Sequence, residues 1–273
     1  MNIIEKFISI QGEGIRTGRP SLFIRVSGCN LRCVFHNGEG KAMSTYDTSY
    51  ASFHPEKPNG RSIQNEIFNC FDLLEANPGV NDIVITGGEP LLDQSGLIKL
   101  IEGLTAYKDY TITVETNGTI TPCDKLLEQV SLWSVSPKLS SSTPTKKDCK
   151  KYNLPETCAK IHEDTRINLD ALANIVVFGH DVQLKFVYSN EKCVEEILAL
   201  RDAIQGVADD IIKECQGLVP PVNVNDYIML MPEGITEKAI ISKSDECVQK
   251  CISHGWTFSS RMHILIWGNV KEK

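Results

Sequence analysis

Two cysteines and a histidine follow a predicted apolar strand near the start of the chain. They are Cys29, Cys33 and His36, within residues 25–36, Arg-Val-Ser-Gly-Cys-Asn-Leu-Arg-Cys-Val-Phe-His. Three thiolates at Cys-x3-Cys-x2-Cys spacing can hold three irons of a [4Fe–4S] cluster and leave the fourth iron open, because soft sulfur matches iron. Here the third position is a histidine, and the next cysteine is Cys70. The segment therefore predicts two thiolate ligands and does not supply a third.

The spacing by itself is weak evidence for a metal site. The same spacing recurs near the C-terminus, at Cys247, Cys251 and His254. That segment is predicted to be an amphipathic helix, where positions i, i+4 and i+7 share a face for reasons of packing. Only the position of Cys29, after a glycine at a strand end, makes the first instance informative. A third set has the residue types of a zinc site but the spacing of no common one: Cys149, Cys158 and His162.

Composition narrows the class of protein. The chain has 273 residues, a formal net charge of −7 and ten cysteines. We find no basic patch that would suggest nucleic acid and no apolar run of about 18–20 residues that could span a membrane. The N-terminus resembles neither a signal peptide nor a transit peptide. We expect a cytoplasmic protein that binds no nucleic acid or membrane, with reduced thiols or metal-bound cysteines.

Hydrophobic patterning predicts strands that alternate with helices. One helix is capped by Ser62 and ends at residues 77–79, Asn-Pro-Gly. The other predicted helices cover 94–107, 122–130, 191–205 and 236–253. Predicted strands cover 2–10, 22–26, 83–86, 111–115, 132–135, 182–188, 227–231 and 262–267. This order predicts parallel strands with helical crossovers, and it puts the polar motifs at the carboxyl ends of strands, where such folds place active sites.

Two segments interrupt this alternation. Residues 36–61 are rich in Gly, Ser and Pro without clear periodicity, and we interpret them as an inserted excursion of the cysteine loop. Residues 139–168 are rich in Ser, Thr and Lys, and we predict a surface insertion there.

Taken together, the polar motifs resemble those of the radical S-adenosylmethionine (SAM) superfamily, and within it the 7-carboxy-7-deazaguanine synthase family. The resemblance implies one α/β domain over 1–273, a partial β/α barrel with about six parallel strands. It also implies an enzyme that contracts 6-carboxy-5,6,7,8-tetrahydropterin to 7-carboxy-7-deazaguanine and releases ammonia. The motifs in chain order are Phe7-Ile-Ser-Ile-Gln-Gly-Glu-Gly14, Phe23-Ile-Arg-Val-Ser-Gly-Cys-Asn-Leu-Arg-Cys33, Thr86-Gly-Gly-Glu-Pro-Leu-Leu92, Glu115-Thr-Asn-Gly-Thr119, Ser136-Pro-Lys138, Lys185-Phe-Val187, Met231-Pro-Glu-Gly234 and residues 263–268.

The resemblance assigns residues to the cofactor SAM. Glycines allow a close backbone approach, and a carboxylate with exposed carbonyls suits the ammonium of the SAM methionine moiety. Lys138 is a point-charge partner for the SAM carboxylate. The implied SAM-binding residues are Phe35, Gly87, Gly88, Glu89, Pro90, Glu115, Asn117, Ser136, Lys138 and Lys185.

A second group of residues is expected to bind the pterin substrate. The side chains of Gln11 and Glu13 offer donors and acceptors to its amide and amino edge. Arg25 offers a bidentate fork to its carboxylate. The implied substrate-binding residues are Gln11, Gly12, Glu13, Gly14, Arg25, Thr86, Gly88 and His263.

The metal ligands depart from the family pattern. In the family, Asp-Thr directly follows the third cluster cysteine and its threonine helps to hold Mg²⁺, which favours hard oxygen ligands. Here Asp47-Thr48 follows Tyr46, so the third cluster ligand falls on His36 by spacing or on Tyr46 by context. The sequence leaves both open.

Three functional hypotheses follow from this departure. In the first, the chain is an ordinary member of the family. In the second, it is an active enzyme whose cluster is held by the two cysteines and a histidine or tyrosine. In the third, it is a cluster-deficient protein that binds SAM or a pterin without catalysis. Histidine ligation raises the potential of Rieske clusters, and a raised potential would slow the reduction of SAM. The partners implied by the resemblance are an electron donor such as flavodoxin or ferredoxin and a second copy in a homodimer.

Overall fold

The structure is a computed structural model, and it describes residues 1–36, 42–44 and 62–270. Side chains are described for all of these except residues 36 and 42–44. Most of the predicted excursion over 36–61 therefore lies outside the described residues. The same is true of the side chain of His36 and of Tyr46, Asp47 and Thr48, so the predictions for these four residues stay predictions.

Eight strands of the described part form one open sheet, in the order β1-β2-β5-β6-β7-β8-β9-β10. Strand β1 pairs with β2 in antiparallel fashion, and the other six pairings are parallel. A short antiparallel pair, β3 with β4, lies apart from this sheet. The strands are β1 (Ile3–Ile10), β2 (Pro20–Val26), β3 (Phe35–His36), β4 (Ala42–Ser44), β5 (Asp82–Gly87), β6 (Thr111–Thr116), β7 (Leu132–Val135), β8 (Asp181–Tyr188), β9 (Ile228–Pro232) and β10 (Thr257–Phe258).

Helices connect most of the parallel strands, as crossovers between parallel strands require. They are α1 (Ile63–Glu75), α2 (Gln94–Thr105), α3 (Asp124–Gln129), α4 (Lys146–Lys151), α5 (Cys158–Thr165), α6 (Leu169–Phe178), α7 (Glu191–Glu214), α8 (Glu237–His254) and α9 (Met262–Trp267). Short 3-10 turns lie at Gly14–Arg16, Pro90–Asp93, Ser140–Ser142 and Val224–Tyr227. The open, mostly parallel α/β sheet confirms the predicted fold class, with one more parallel strand than expected. No helix in the described ranges is long and apolar enough to cross a membrane.

Apolar and polar residues alternate along the strands, so one face of the sheet packs against the apolar core and the other face carries polar side chains. In β6, Ile112 and Val114 join the apolar core, whereas Glu115 lines a cavity on the other face. In β8, Leu184 joins the core and Lys185 lines the same cavity. Successive residues of a strand point to opposite faces, so this period of two directs one polar set from several strands into one space.

The predicted final strand over 262–267 is wrong, because these residues form helix α9. A short apolar run does not by itself distinguish a strand from a helix. The edge of the sheet beside β9 is taken instead by Thr257–Phe258. The chain then turns back over the sheet, and the backbone N–H of Met262 donates to the carbonyl of Gly12. Within α9, Ile264 is buried and Ile266 is exposed.

The segment over 139–168, predicted as a surface insertion, contains a 3-10 turn and helices α4 and α5. It has an exposed lysine-rich side and also buries a set of small polar and thiol side chains. The buried set is Ser142, Cys149, Cys158 and His162. The segment contacts the cysteine loop directly, since the backbone N–H of Val34 donates to the carbonyl of Ser142 at 2.9 Å.

Candidate active site

A cavity of about 280 Å³ lies at the carboxyl ends of the parallel strands. It gathers polar side chains from β1, β2 and β5–β8 and from the loops that follow them. Ligand sites in open α/β sheets occupy this edge. The predicted residues that line it are Gln11, Gly12, Glu13, Arg25, Cys29, Phe35, Thr86, Gly87, Gly88, Glu115, Asn117, Ser136, Lys138, Lys185 and His263.

The glycine pair after β5 is required by backbone packing. Gly87 has a φ of +125°, which L side chains rarely adopt, and a Cβ atom on Gly88 would lie 1.7 Å from the carbonyl oxygen of Gly28. The backbone N–H of Glu89 donates to that same carbonyl at 2.7 Å. The glycines therefore let the strand end of β5 pack directly against the start of the cysteine loop.

The carboxylate of Glu89 is buried and bonded within the protein. It accepts from Thr116 Oγ1 and from the backbone N–H of Asn117, both at 2.7 Å, and from the N–H of Leu91 at 3.1 Å. Burial raises the pKa of Glu89, and these three donors oppose that rise. Glu89 ties the end of β5 to the end of β6.

Of the predicted site residues whose side chains the structure describes, four do not line the cavity: Glu89, Pro90, Gly14 and Cys33.

Among the residues predicted to bind substrate, the carboxylate of Glu13 lies between two cations. Its two oxygens accept from Lys185 Nζ at 2.5 Å and from Arg261 Nε at 3.0 Å. Burial would raise the pKa of Glu13, but Lys185, Arg261 and His263 outweigh burial and hold that pKa well below its usual range. Burial by itself would lower the pKa of Lys185. The carboxylates of Glu13 and Glu115 outweigh burial and raise that pKa above its ordinary value. Glu13 and Lys185 therefore form a charged pair at neutral pH.

Arg25 is held by a residue that the sequence did not point to. Glu5 faces Arg25 across the antiparallel β1–β2 pair, and its Oε2 accepts from Arg25 Nε at 2.6 Å. This bond leaves the two Nη groups of Arg25 without a hydrogen-bond partner within the described part of the chain. The guanidinium lines the cavity, so its Nη fork is available to a ligand carboxylate.

Side chains predicted for SAM and for the substrate meet at Glu115. One oxygen of this carboxylate accepts from Gln11 Nε2 at 3.1 Å, and the other accepts from Thr86 Oγ1 at 2.7 Å. The Gln11 oxygen also accepts the backbone N–H of Glu13 at 3.2 Å. Most members of the two predicted residue sets therefore line one continuous space.

The imidazole of His263 packs against the backbone of Gly12. A Cβ atom on Gly12 would lie 2.0 Å from His263 Nδ1, so only glycine allows this approach. The contact fixes the loop that follows β1 against the start of α9. His263 therefore lies beside Glu13 at the wall of the cavity.

Of the two cysteines of the cysteine loop, Cys29 lines the cavity and Cys33 does not. Cys29 Sγ accepts the backbone N–H of Leu31 at 3.4 Å and the side-chain amide of Asn117 at 3.8 Å. Cys33 is fully buried. Burial lowers the pKa of Lys138, and the nearby thiols of Cys33 and Cys29 oppose that change. Lys138 also donates to Ser136 Oγ at 2.9 Å.

This donor set fits part of an iron–sulfur site. N–H groups directed at a thiolate sulfur are the second-shell donors that tune such clusters. Two thiols alone do not complete the three-ligand pattern, and the described side chains contain no group of three His, Cys, Asp or Glu residues that could hold a metal ion. A third ligand would have to come from a side chain that the structure does not describe, as those of both candidates, His36 and Tyr46, are.

Comparison with known proteins identifies the family. A model of the 4Fe-4S single cluster domain matches residues 10–149. The 7-carboxy-7-deazaguanine synthase of Halobacterium salinarum is 34% identical, over 99% of this chain and 91% of the relative. The synthase of Rhodopirellula baltica is also 34% identical, over 98% of this chain and 86% of the relative. The chain belongs to the 7-carboxy-7-deazaguanine synthase family.

A solved structure agrees with this family assignment at the level of the fold. The crystal structure of QueE from Escherichia coli superposes with a TM-score of 0.52 at 21% sequence identity, covering 96% of this chain and 93% of that one. At this identity the likeness concerns the fold alone. It supports the predicted open β/α arrangement.

Two residues that line the cavity escaped the sequence analysis, Glu5 and Arg261. A signal for Glu5 was available, because a predicted hairpin of β1 and β2 would place a carboxylate opposite Arg25. Arg261 precedes His263 by two residues, but the predicted strand there concealed its role. Its guanidinium donates to Glu13 and, at 2.7 Å, to the carbonyl of Gly234, joining three distant segments.

Proposed function

We propose that this chain is a 7-carboxy-7-deazaguanine synthase. It would convert 6-carboxy-5,6,7,8-tetrahydropterin to 7-carboxy-7-deazaguanine with loss of ammonia, using SAM and a reductant. The observation that carries the proposal is the full-length similarity to curated synthases at 34% identity. The cavity supports it, because most of the residues predicted for SAM and the pterin line one space.

The cysteine side of the cavity would hold the cofactors. Cys29 and Cys33 would be thiolate ligands of the [4Fe–4S] cluster, which when bound supplies the electron that cleaves SAM. The backbone at Gly87 and Gly88 would accept the amino group of SAM. Lys138, which lies near both thiols, would neutralise the SAM carboxylate.

The opposite side would hold the pterin. The Nη groups of Arg25 would bind the substrate carboxylate, with Glu5 fixing the orientation of the guanidinium. Gln11 and Glu13, both in the loop after β1, would face the amide and amino edge of the ring. Glu115 lies between the two sides and would keep SAM and substrate in a fixed relation.

Anaerobic reconstitution tests the proposed function. The protein is loaded with ferrous iron and sulfide, and iron is counted. A low-potential reductant, SAM and 6-carboxytetrahydropterin are then added. Formation of 5′-deoxyadenosine together with 7-carboxy-7-deazaguanine would support the proposal. Binding of SAM or pterin without either product would instead support the cluster-deficient binding protein.

The third cluster ligand is a separate proposal, since both candidates lie outside the described side chains. We propose that Tyr46 occupies the place of the family cysteine, because Asp47-Thr48 follows it. Tyr46→Cys should then raise iron retention and SAM cleavage, and His36→Cys should raise them less. The opposite ranking would favour His36. A wild-type protein that holds a full cluster and turns over at about 1 s⁻¹ or faster would contradict the hypothesis that the missing third cysteine weakens the cluster site.

Further features of the proposed enzyme follow from the family resemblance. Asp47 and Thr48 would lie near Mg²⁺, with the Thr48 hydroxyl as a ligand beside the substrate carboxylate. Flavodoxin or ferredoxin would supply the electron, the enzyme would be cytoplasmic, and two copies would form a homodimer. Activity with and without added Mg²⁺ tests the first feature, and light scattering of the purified chain tests the last.

A further inference from the structure

Cys33 is flanked by two backbone N–H groups that bond to the same small segment. The N–H of Arg32 donates to His162 Nδ1 at 3.3 Å, and the N–H of Val34 donates to the carbonyl of Ser142 at 2.9 Å. His162 lies on α5 and Ser142 on the preceding 3-10 turn. Both therefore belong to the segment predicted as a surface insertion, yet both contact the cysteine loop.

The two residues that hold this backbone also hold each other. His162 Nε2 lies 3.1 Å from Ser142 Oγ, and Ser142 Oγ donates to the carbonyl of Leu139 at 2.7 Å. Since the hydroxyl proton is given to Leu139, Ser142 Oγ accepts from His162 Nε2–H. This sets the tautomer with an unprotonated Nδ1, which can accept from Arg32.

The neutral state of the imidazole agrees with this assignment. His162 is 2% exposed, and burial lowers its pKa to about 4, with Arg166 and Lys138 acting in the same direction and Glu163 opposing them. A neutral imidazole has one donor and one acceptor, and this geometry uses both. The side chain is thus fully satisfied by Arg32 and Ser142, which fixes its orientation.

The segment is anchored to the SAM-side loop as well. Arg166, four residues after His162, donates to the carbonyl of Lys138 at 2.9 Å and to Glu196 at 2.8 Å. Glu196 in turn accepts the backbone N–H of Ser140 at 2.9 Å. The residues that hold Cys33 are therefore fixed to the strand end that carries Ser136 and Lys138.

We propose that His162 is a positioning residue that, together with Ser142, holds the backbone on both sides of Cys33 so that its thiol is presented for metal binding. The role of Cys33 as a ligand rests on the proposed function. The positioning itself does not, because it is a property of the metal-free chain. His162 had no role in the family assignment of residues, and its sequence context suggested only an ill-fitting zinc site.

Thiol alkylation in the metal-free protein tests the positioning. Iodoacetamide modification is followed for each cysteine by peptide mass spectrometry in wild type, His162→Leu and His162→Asn. Leu keeps apolar bulk without an acceptor, whereas Asn can present its side-chain oxygen near the place of Nδ1. We expect about a tenfold faster modification of Cys33 in the Leu variant, equivalent to about 1.4 kcal/mol of easier opening. The Asn variant should stay close to wild type.

Cys70 is the internal control for global unfolding. It is buried on α1, and burial raises its pKa to about 12, so it should react mainly when the fold opens. Its rate should be the same in the three proteins. Equal acceleration of Cys33 and Cys70 in the Leu variant would reduce His162 to a general structural role, and an unchanged Cys33 rate would overturn the proposal. An Asn variant that behaves like the Leu variant would also contradict it.

Iron content after anaerobic reconstitution tests the link to the metal. The Leu variant should retain at least about threefold less iron than wild type, and the Asn variant should retain nearly as much as wild type. Equal iron in wild type and the Leu variant would overturn that link. If the reconstituted chain makes no product but the alkylation pattern holds, the proposed function fails and the positioning of Cys33 stands.

Discussion

The two sides of the cavity are built from different interactions. On the proposed pterin side, a partly buried carboxylate pairs with two buried cations, Glu13 with Lys185 and Arg261. On the cysteine side, the hydrogen bonds that Cys29 Sγ accepts come from neutral groups. Asn117 donates to Cys29 Sγ, and His162 accepts the backbone N–H of Arg32.

This difference in the interactions of the two sides matches the ligand proposed for each. A ligand carboxylate or amino edge is polar and fixed in shape, so charged groups held in advance orient it without reorganisation. A cluster with thiolate ligands carries its own negative charge and is tuned by N–H donors to sulfur. Neutral donors near the thiols would supply that tuning, while Lys138 and Arg32 bring cations, and Glu89 a carboxylate, close to Cys29.

The largest effect should come from removing the shared carboxylate of the charged side. Glu13→Ala leaves the buried cations Lys185 and Arg261 without their common partner, which should lower the free energy of unfolding by about 3–5 kcal/mol. Urea denaturation measures this change. The exposed pair of Glu102 with Lys125 is the control, because Glu102→Ala should stay close to wild type. If Glu13→Ala and Glu102→Ala lowered the free energy of unfolding by similar amounts, the ion pairs of Glu13 would not be a special feature of the charged side.

A smaller effect is expected for ligand binding at Arg25. Arg25→Lys removes the fork and should raise the pterin dissociation constant about tenfold, or about 1.4 kcal/mol, while binding of SAM stays unchanged. Calorimetry on the two proteins measures both constants. Arg16→Lys is the matched control, since Arg16 pairs with Asp82 and does not line the cavity. Unchanged pterin affinity in Arg25→Lys would refute the role.

On the neutral side, single hydrogen bonds should contribute less to stability. Asn30 is exposed, accepts from Asn117 Nδ2 at 2.9 Å and donates to Thr119 Oγ1 at 2.7 Å. Asn30→Ala should lower the free energy of unfolding by only about 0.5–1.5 kcal/mol. Thermal unfolding of the metal-free protein measures it. A loss as large as that of Glu13→Ala would show that the neutral side is equally important for the fold.

The most specific effect is the response of the charged side to pH. The pKa of Glu13 in the folded chain lies well below its ordinary value of 4.5, so its stabilisation is present above about pH 4.5 and is lost as the pH falls below it. The stability difference between wild type and Glu13→Gln should therefore be constant near neutral pH and shrink in acid. A difference that grows as the pH falls would have the wrong sign for this ion pair.

Much of the site follows from local sequence. The alternation of strands and helices gives parallel strands, and polar motifs after strands then share one edge of the sheet. That rule brought Gln11, Thr86, Glu115 and Lys185 to one cavity, although they lie far apart in the chain. The requirement for glycine at residue 88 was also visible, because a glycine pair after a strand indicates a close backbone approach.

Other features were decided by tertiary packing. Residues 262–267 are apolar enough for a strand, but the free edge beside β9 was already filled by Thr257–Phe258, so the chain became a helix over Gly12. Glu89 suited an ammonium ligand by its chemistry. In the fold its carboxylate accepts from Thr116, Asn117 and Leu91, and no spacing in the sequence reveals these partners.

The sequence by itself determined the sheet, the family and the edge of the sheet where the chemistry takes place, because those depend on periodicity and on residues close to one another in the chain. Only the tertiary structure decided which partner each polar side chain has. Glu5 meets Arg25, Arg261 meets Glu13, and His162 meets the backbone beside Cys33. Such pairings depend on three-dimensional distances between segments up to 248 residues apart in the chain. The local sequence pattern does not predict those distances.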